Sequence, residues 1–458
     1  MKAFDLRGIM IFLHTLIEKY VGKPFEIDCF DMEIHGKDNH QPPLFKGPGV
    51  IKGKAAGALS FKLHNQLPMT TELFQYIKKV KEGSDQQSVA ATLTAKDYDG
   101  ITWHGGWLIP DVDQFMASQK LVVYGELEGL STRVAKLEGD SKKHQTELIF
   151  AGTLNIPFSG CVHEKRFHGE EVISTSSWHD HHKLKYRESE IFFQESQDRT
   201  QTSVSASHFE GFASPYVDGW LSESLSFVSA SFVAPRMTIR HLADDALVFI
   251  RNTPEDSSSR MPRPFSREHI DCIWELFLHY LAKCHETQSF EPMPLSCGFS
   301  EQLIASTATV QGFLISLATF IENCVKDICQ DSCKPSEEYA GHVKACMEHV
   351  KKWDGNEEVR ARAEGLIAML NNPHIKKLMD ELIDKGVITK EQKDAWNKVR
   401  HRLAHGSLLD FSRIEEFWDY RNRLISMMYR LIFRKIGFSG KAPDYDGAGI
   451  SYVDFAWK

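Results

Sequence analysis

The alternation of apolar and polar residues along the first half of the chain predicts β-strands. Between about residues 25 and 250, short segments rich in aromatic and β-branched residues lie between turns built from glycine, proline and aspartate. The clearest of these segments cover residues 58–63, 101–103, 121–127, 148–151, 225–233 and 246–250. Many short strands of this kind are typical of an antiparallel sandwich or a barrel-like domain. We expect two helices, near residues 9–20 and 71–82, to pack beside the strands.

The period of the apolar positions changes to 3.6 in the second half, which predicts helices. One apolar stripe, within residues 300–330, comprises Val310, Phe313, Leu314, Leu317, Phe320, Ile321, Cys324, Val325 and Ile328. A second stripe, at residues 414–432, predicts another long helix. Shorter helices are predicted at residues 267–284, 336–352, 357–370, 374–385 and 390–404. Gly386 would end one of them, and Thr389 with Gln392 would form a capping box at the start of the next.

The composition between these two halves predicts a linker. Residues 252–266 contain three prolines and four serines. We therefore predict an α+β protein with an N-terminal β-rich region at residues 1–251, sandwich-like or barrel-like and suited to sensing or regulation. A C-terminal all-α helical bundle would follow at residues 267–458. Each region is long enough to bury a core of its own.

Charge and cysteine content narrow the function classes. Against 62 Asp and Glu the chain has 54 Lys and Arg, for a net charge of -8, which excludes a polycation that coats nucleic acid through its whole surface. Any nucleic-acid site must therefore be a local patch. No segment reaches the roughly 18 consecutive apolar residues of a membrane span. Nine dispersed cysteines favour a reducing compartment, so we expect a cytoplasmic protein without membrane association.

One cluster of histidines and one group of cysteines could bind a metal ion. His179, His181 and His182 could bind a transition metal, although their polar surroundings favour a solvated or partner-facing loop. Four cysteines could bind zinc, but they lack paired Cys-x-x-Cys spacing: Cys324, Cys329, Cys333 and Cys346. Because Cys324 belongs to an apolar stripe, a buried free thiol is the simpler hypothesis.

The segment 396–406 contains residues suited to RNA cleavage without a metal. Arg400 is followed directly by the polar His401, and His405 lies five positions after the arginine. A histidine of near-neutral pKa can accept the proton of a ribose 2′-hydroxyl, and an arginine can stabilise charge on the scissile phosphate. On one continuous helix the two side chains would lie about 140° apart. They can converge only where the helix ends or bends, and Gly406 favours such an end.

The surroundings of Arg400 single it out among similar Arg/His pairs elsewhere in the chain. Residues 390–434 contain ten Lys or Arg against six Asp or Glu, a local excess of positive charge in an acidic chain. A structural interpretation remains open, in which Arg400 and Arg402 offset the helix dipole and His405 caps the helix.

The residues Val-Arg-His-Arg-Leu-Ala-His-Gly at 399–406 resemble the signature of HEPN-domain ribonucleases. That signature is an arginine, then Asn, Asp or His, then three residues and a histidine, before a long final helix. A strand-rich half fused to such a bundle is similar to ApeA-type antiphage defence proteins. The resemblance covers residues 265–440, and the N-terminal half by its organisation and by segments within 100–130. It implies that Arg400 and His405 are catalytic and that His401 supports them.

The prediction is a metal-independent RNA endonuclease that needs no cofactor and acts on tRNA or mRNA in antiphage defence or abortive infection. A phage-derived trigger would act on the N-terminal region. One imidazole is poorly placed to serve both sides of an in-line displacement, so we expect a homodimer or a higher even-numbered assembly, with part of the apolar stripes at its interface. The alternatives are a non-catalytic HEPN-like protein for RNA binding or dimerisation, and a metal enzyme built on His179, His181 and His182.

Overall fold

The computed structural model divides the chain into two compact units. It describes residues 8–37, 42–55, 57–83, 86–115, 120–135, 144–168, 171–253, 259–330, 337–370, 375–404, 414–445 and 449–457. One unit comprises Met1–Ser258 with Cys284–Pro292, and the other comprises Ser259–Lys283 with Met293–Lys458. No helix among these residues is long and apolar enough to cross a membrane.

The first unit is built on an antiparallel sheet. Its strands are β1 Phe25–His35, β2 Phe45–Gly53, β3 Leu59–His64, β4 Ala91–Asp97, β5 Thr102–Leu108, β6 Asp111–Phe115, β7 Lys120–Leu127, β8 Gly129–Ala135, β9 Gln145–Ala151, β10 Gly160–His168, β11 Glu171–Tyr186, β12 Ser189–Glu195, β13 Gln201–Ser207, β14 Met237–His241 and β15 Asp245–Arg251. Neighbours in the sheet follow the order β10-β11-β12-β13-β9-β14-β15-β8-β5-β4-β1-β2-β3-β7-β6. Its helices are α1 Gly8–Tyr20, α2 Thr71–Lys81, α3 Gln86–Val89 and α4 Tyr216–Ser229.

The sheet curls around an apolar core. β5 contacts β7 although four strands separate them in the hydrogen-bonded order. The Asn252 amide, directly after β15, binds the neighbouring strands β3 and β7: its Oδ1 accepts from Leu59 N at 2.7 Å and its Nδ2 donates to Leu127 O at 2.8 Å. Alternate residues point inward in strands such as β3, where the first, third and fifth positions are buried. The predicted strand-rich half followed by helices, an α+β arrangement, is confirmed.

One predicted strand is wrong. The sequence predicts a strand at residues 225–233, but α4 extends to Ser229 and includes Leu225, Phe227 and Val228 of that segment. Buried side chains recur every three or four positions through α4, at Val217, Trp220, Leu221, Leu225 and Val228. The helical period is therefore visible only when the segment is taken together with the residues before it.

The second unit consists mainly of helices. They are α5 Ile270–Thr287, α6 Pro294–Thr307, α7 Val310–Ile328, α8 Glu337–Lys351, α9 Glu357–Met369, α10 Ile375–Asp384, α11 Lys390–Ala404 and α12 Ile414–Ile436. The apolar stripe predicted within residues 300–330 is α7, and a separate helix, α6, ends before it because Ala308 is extended. A hairpin of β16 Gly440–Asp444 and β17 Ser451–Phe455 follows α12, so the C-terminal region is not all-α as expected.

The start of α11 matters because this helix carries the candidate chemistry. Gly386 has a φ of +73° after α10, a conformation that glycine adopts without strain. Thr389 N donates to Gln392 Oε1 at 3.0 Å, and Gln392 N donates to Thr389 Oγ1 at 3.3 Å. This is the predicted capping box, and it fixes the first turn of α11.

Candidate nucleic-acid site

Trp396 holds α11 against α7. The side chain is almost fully buried, and its indole Nε1 donates to Ala318 O of α7 at 3.0 Å. Arg400 lies one turn further along α11, and its guanidinium lies over the Trp396 ring at 5.4 Å from the centroid. The buried indole thus provides a fixed support for the half-exposed arginine.

Glu322 of α7 binds Arg400 directly. Arg400 Nε donates to Glu322 Oε2 at 3.0 Å, and Glu322 Oε1 pairs with Lys326 Nζ, also at 3.0 Å. The carboxylate is mostly buried and joins the two cations, whose side chains are more exposed. The contact uses one of the five N–H groups of the guanidinium, and the two terminal nitrogens carry the other four. Glu322 therefore fixes the direction in which the guanidinium presents those terminal nitrogens.

A groove of about 400 Å³ lies at this point between α7 and α11. The residues that line it are Ile315, Ala318, Thr319, Glu322, Asn323, Lys326, Val399 and Arg400. Its polar side chains comprise two cations, one carboxylate, one amide and one hydroxyl. The Thr319 hydroxyl donates to Ile315 O at 3.0 Å within α7. Guanidinium and ammonium groups with a neighbouring amide donor are suited to bind a phosphate group.

Of the two histidines predicted to act with Arg400, the structure describes only His401. His401 is the next residue of α11 and is exposed. His405 and Gly406 lie outside the described residues, so the convergence of Arg400 with His405 stays a prediction.

Part of the positive charge near Arg400 is offset by carboxylates. Lys393 forms an ion pair with Asp380, and Arg423 pairs with Asp419 at 3.1 Å. Lys398 instead lies over the Tyr420 ring, at 5.5 Å from its centroid. The positive charge available near Arg400 to attract a phosphate is therefore smaller than the count of basic residues indicates.

The histidine cluster lies in a strand and not in the expected loop. His179, His181 and His182 belong to β11, where Cys161 pairs with His179 and Gly160 with His181, so β11 has one extra residue. His181 Nδ1 is 2.7 Å from Asp180 Oδ1, and His182 Nδ1 is 2.7 Å from Ser159 Oγ. Within the described ranges, no group of three or more His, Cys, Asp or Glu side chains could hold a metal ion.

The cysteines are free thiols where they are described. Cys324 and Cys329 are buried, Cys346 is exposed, and Cys333 lies outside the described residues. Burial raises the pKa of Cys324 to about 12, so this group is a neutral thiol near pH 7. Zinc binds the thiolate form, and the buried free thiol expected for Cys324 agrees with this environment.

The sequence did not single out the three α7 residues Glu322, Asn323 and Lys326. A usable signal existed, because Glu322-Asn323 directly precedes Cys324 within a strongly apolar helix. Comparison with known proteins adds no assignment: no family model, curated protein or solved structure matches the chain.

Proposed function

We propose that the protein is a metal-independent RNA endonuclease of the HEPN type, with its site at the end of α11. The observation that supports this most directly is the position of the Arg400 guanidinium, which is held at a groove by Glu322 and Trp396. A catalytic arginine needs a fixed orientation and access to solvent at the same time. Arg400 has both, because its side chain is 55% exposed while Nε is bound.

In the proposed reaction the ribose 2′-oxygen attacks the adjacent phosphorus. His405 accepts the proton of the 2′-hydroxyl, and the bond from phosphorus to the departing 5′-oxygen breaks as that oxygen gains a proton from the protonated histidine of a second Arg-His pair, supplied by another copy of the chain. The products are a 2′,3′-cyclic phosphate and a 5′-hydroxyl. Arg400 stabilises the charge that develops on the phosphoryl oxygens, and His401 supports the pair.

The proposal extends to antiphage defence, through the resemblance to ApeA-type proteins. Infection would release a phage-derived trigger that acts on the N-terminal region, and cleavage of tRNA or mRNA would then arrest growth. The structural alternative is that Arg400 only ties α11 to α7 through Glu322, in which case the bundle binds RNA or a second copy without cleaving RNA.

The decisive experiment incubates the full chain with total RNA in excess chelator and identifies the fragment ends. We expect cyclic phosphate ends, and a loss of about 10²–10⁴-fold in rate for His405→Ala, the usual contribution of a general base. Arg400→Ala should lower the cleavage rate by a similar factor. Arg362→Ala, on the exposed face of α9, is a matched control and should leave the rate unchanged.

Two results would contradict the proposal. Cleavage by His405→Ala at the wild-type rate would show that the assigned base has no part in the reaction. Activity that chelator abolishes and zinc or manganese restores would favour a metal enzyme and direct attention to His179, His181 and His182.

A further inference from the structure

A groove of about 760 Å³ lies in the first unit, on the outer face of the curled sheet. The residues that line it are Lys52, Ser60, Phe61, Lys62, Trp107, Ile109, Asp111, Tyr124, Gly125, Glu126, Leu127, Glu128 and Asn252. They come from β2, β3, β5, β6 and β7, from the connections after β5 and β7, and from the residue that follows β15. Its volume falls within the range of ordinary ligand sites.

Trp107 is held in this groove by an unusual backbone. In the pairing of β4 with β5, Leu93 is opposite Gly105 and Ala91 is opposite Leu108, so β5 contains one extra residue there. Trp107 lies in this bulge with a φ of +53°, a left-handed conformation that a bulky side chain rarely adopts. The bulge turns the indole outward, and 67% of the side chain is exposed. A strained backbone that exposes a large aromatic ring is a feature of binding sites.

The groove also includes a part of the edge of β7 that β6 does not cover. β6 pairs with β7 from Lys120 to Tyr124, whereas the following residues Gly125–Leu127 pair only with β3 among the described strands. Those three residues line the groove opposite Trp107 and Ile109 of the β5 side. A strand edge beside an apolar wall is suited to bind an extended peptide, which can form main-chain hydrogen bonds with the edge.

The charges of the groove select the kind of peptide. Its two lysines have partners on the protein: Lys52 Nζ is 2.6 Å from Glu26 Oε1, and Lys62 Nζ lies 5.6 Å from the centroid of the Tyr124 ring. The carboxylates at Asp111, Glu126 and Glu128 form no ion pair within the part of the chain that the structure describes. They would attract a cationic ligand and repel a polyanion such as RNA.

We propose that this groove binds an extended peptide segment of a partner protein, in which a lysine or arginine alternates with an apolar residue. The apolar side chain contacts Trp107 and Ile109, and the cation lies near Asp111, Glu126 and Glu128. The main chain of the peptide follows the edge of β7 around Glu126, since Leu127 O is bound by the Asn252 amide. This inference concerns the first unit and does not depend on cleavage at Arg400.

The test measures the binding of a fluorescein-labelled peptide, Lys-Val-Lys-Val-Lys-Val, to the full chain by fluorescence anisotropy. A matched peptide with Glu in place of Lys should bind about tenfold more weakly, because one unfavourable charge contact costs roughly a factor of ten. Trp107→Ala should weaken the binding of the basic peptide by about tenfold or more, the loss of affinity typical of an aromatic anchor. Phe74→Ala is the control, because Phe74 is 58% exposed on α2 and does not line the groove.

Two further variants separate binding from folding. Trp107→Gly suits the left-handed backbone, so its melting temperature should be unchanged or higher while the peptide affinity is lost. Glu126→Lys should shift the preference toward the acidic peptide, and Glu188→Lys, in an exposed turn, should not. Several outcomes would overturn the proposal: no binding of the basic peptide at millimolar concentration, equal affinity for both peptides, unchanged affinity in Trp107→Gly, or tighter binding of a labelled oligouridylate.

Discussion

At the residue scale, the ion pair between Glu322 and Arg400 is the contact on which the proposed site depends. The exposed arginine limits what this pair contributes to folding, because solvent screens an ion pair at the surface. Its importance lies in orientation, since a guanidinium held at Nε presents its terminal nitrogens in one direction. Glu322 therefore acts as a positioning residue for Arg400.

This role predicts separate effects on kcat and KM. Glu322→Ala should lower kcat by about tenfold, equivalent to ~1.4 kcal/mol, because the guanidinium loses its fixed orientation. KM for RNA should fall or stay unchanged, since a negative charge near the phosphate is removed. Steady-state kinetics on a defined RNA would measure both constants.

Controls distinguish orientation from stability in the same experiment. Glu322→Gln retains a hydrogen-bond acceptor for Nε and should lose less in kcat than the alanine variant. Glu338→Gln, on the exposed surface of α8, should change neither constant. Higher kcat in Glu322→Ala would show instead that the carboxylate blocks the phosphate site.

At the element scale, the position of Arg400 depends on α11. Its N-terminus is fixed by the capping box of Thr389 and Gln392, and its middle by Trp396 against Ala318 of α7. The capping box could be predicted from the sequence, because its two residues are only three positions apart. The second joins residues 78 positions apart, so only the folded chain reveals it.

The cap has a measurable contribution to stability. Thr389→Ala should lower the free energy of unfolding by about 1 kcal/mol, because one N–H of the first turn of α11 loses its acceptor. Urea unfolding followed by circular dichroism would measure the change. Thr389→Ser keeps the hydroxyl, so its free energy of unfolding should stay close to that of wild type. An equal loss of stability in both variants would contradict the assigned cap.

At the scale of the whole molecule, the helical unit buries the apolar stripes that were expected to contribute to an interface between copies. Phe313, Leu314 and Leu317 of α7 are buried, as are Leu424 and Ile425 of α12. The stripes are therefore mainly core, and they no longer support an interface between copies. The expectation of a dimer depends on the chemistry alone, because one His405 is poorly placed to serve both the attacking and the departing oxygen.

A composite site predicts that cleavage requires an even-numbered assembly. Light scattering of the full chain at the concentration of the RNA assay should give at least twice the mass of 52.2 kDa. Mixing Arg400→Ala with wild type should then reduce the activity below that expected from the amount of wild type alone, if copies exchange. A monomeric protein with undiminished cleavage would contradict the composite site.

Features that depend on residues close together in the chain could be predicted from the sequence. The strand-rich half, most helix limits, the end of α10 at Gly386 and the cap of α11 follow from periods and spacings of a few residues. The identity of Arg400, His401 and His405 as candidates also came from local spacing. Short apolar segments such as 225–233 were ambiguous, because a few residues fit either period.

Contacts between residues far apart in the chain depend on the folded arrangement of its elements. Glu322 and Arg400 are 78 positions apart, and their contact exists because Trp396 packs α11 onto α7. The groove at Trp107 depends on a bulge in β5 and on where β6 stops pairing with β7. Register and helix packing are set by burial across the whole core, and no local pattern specifies them.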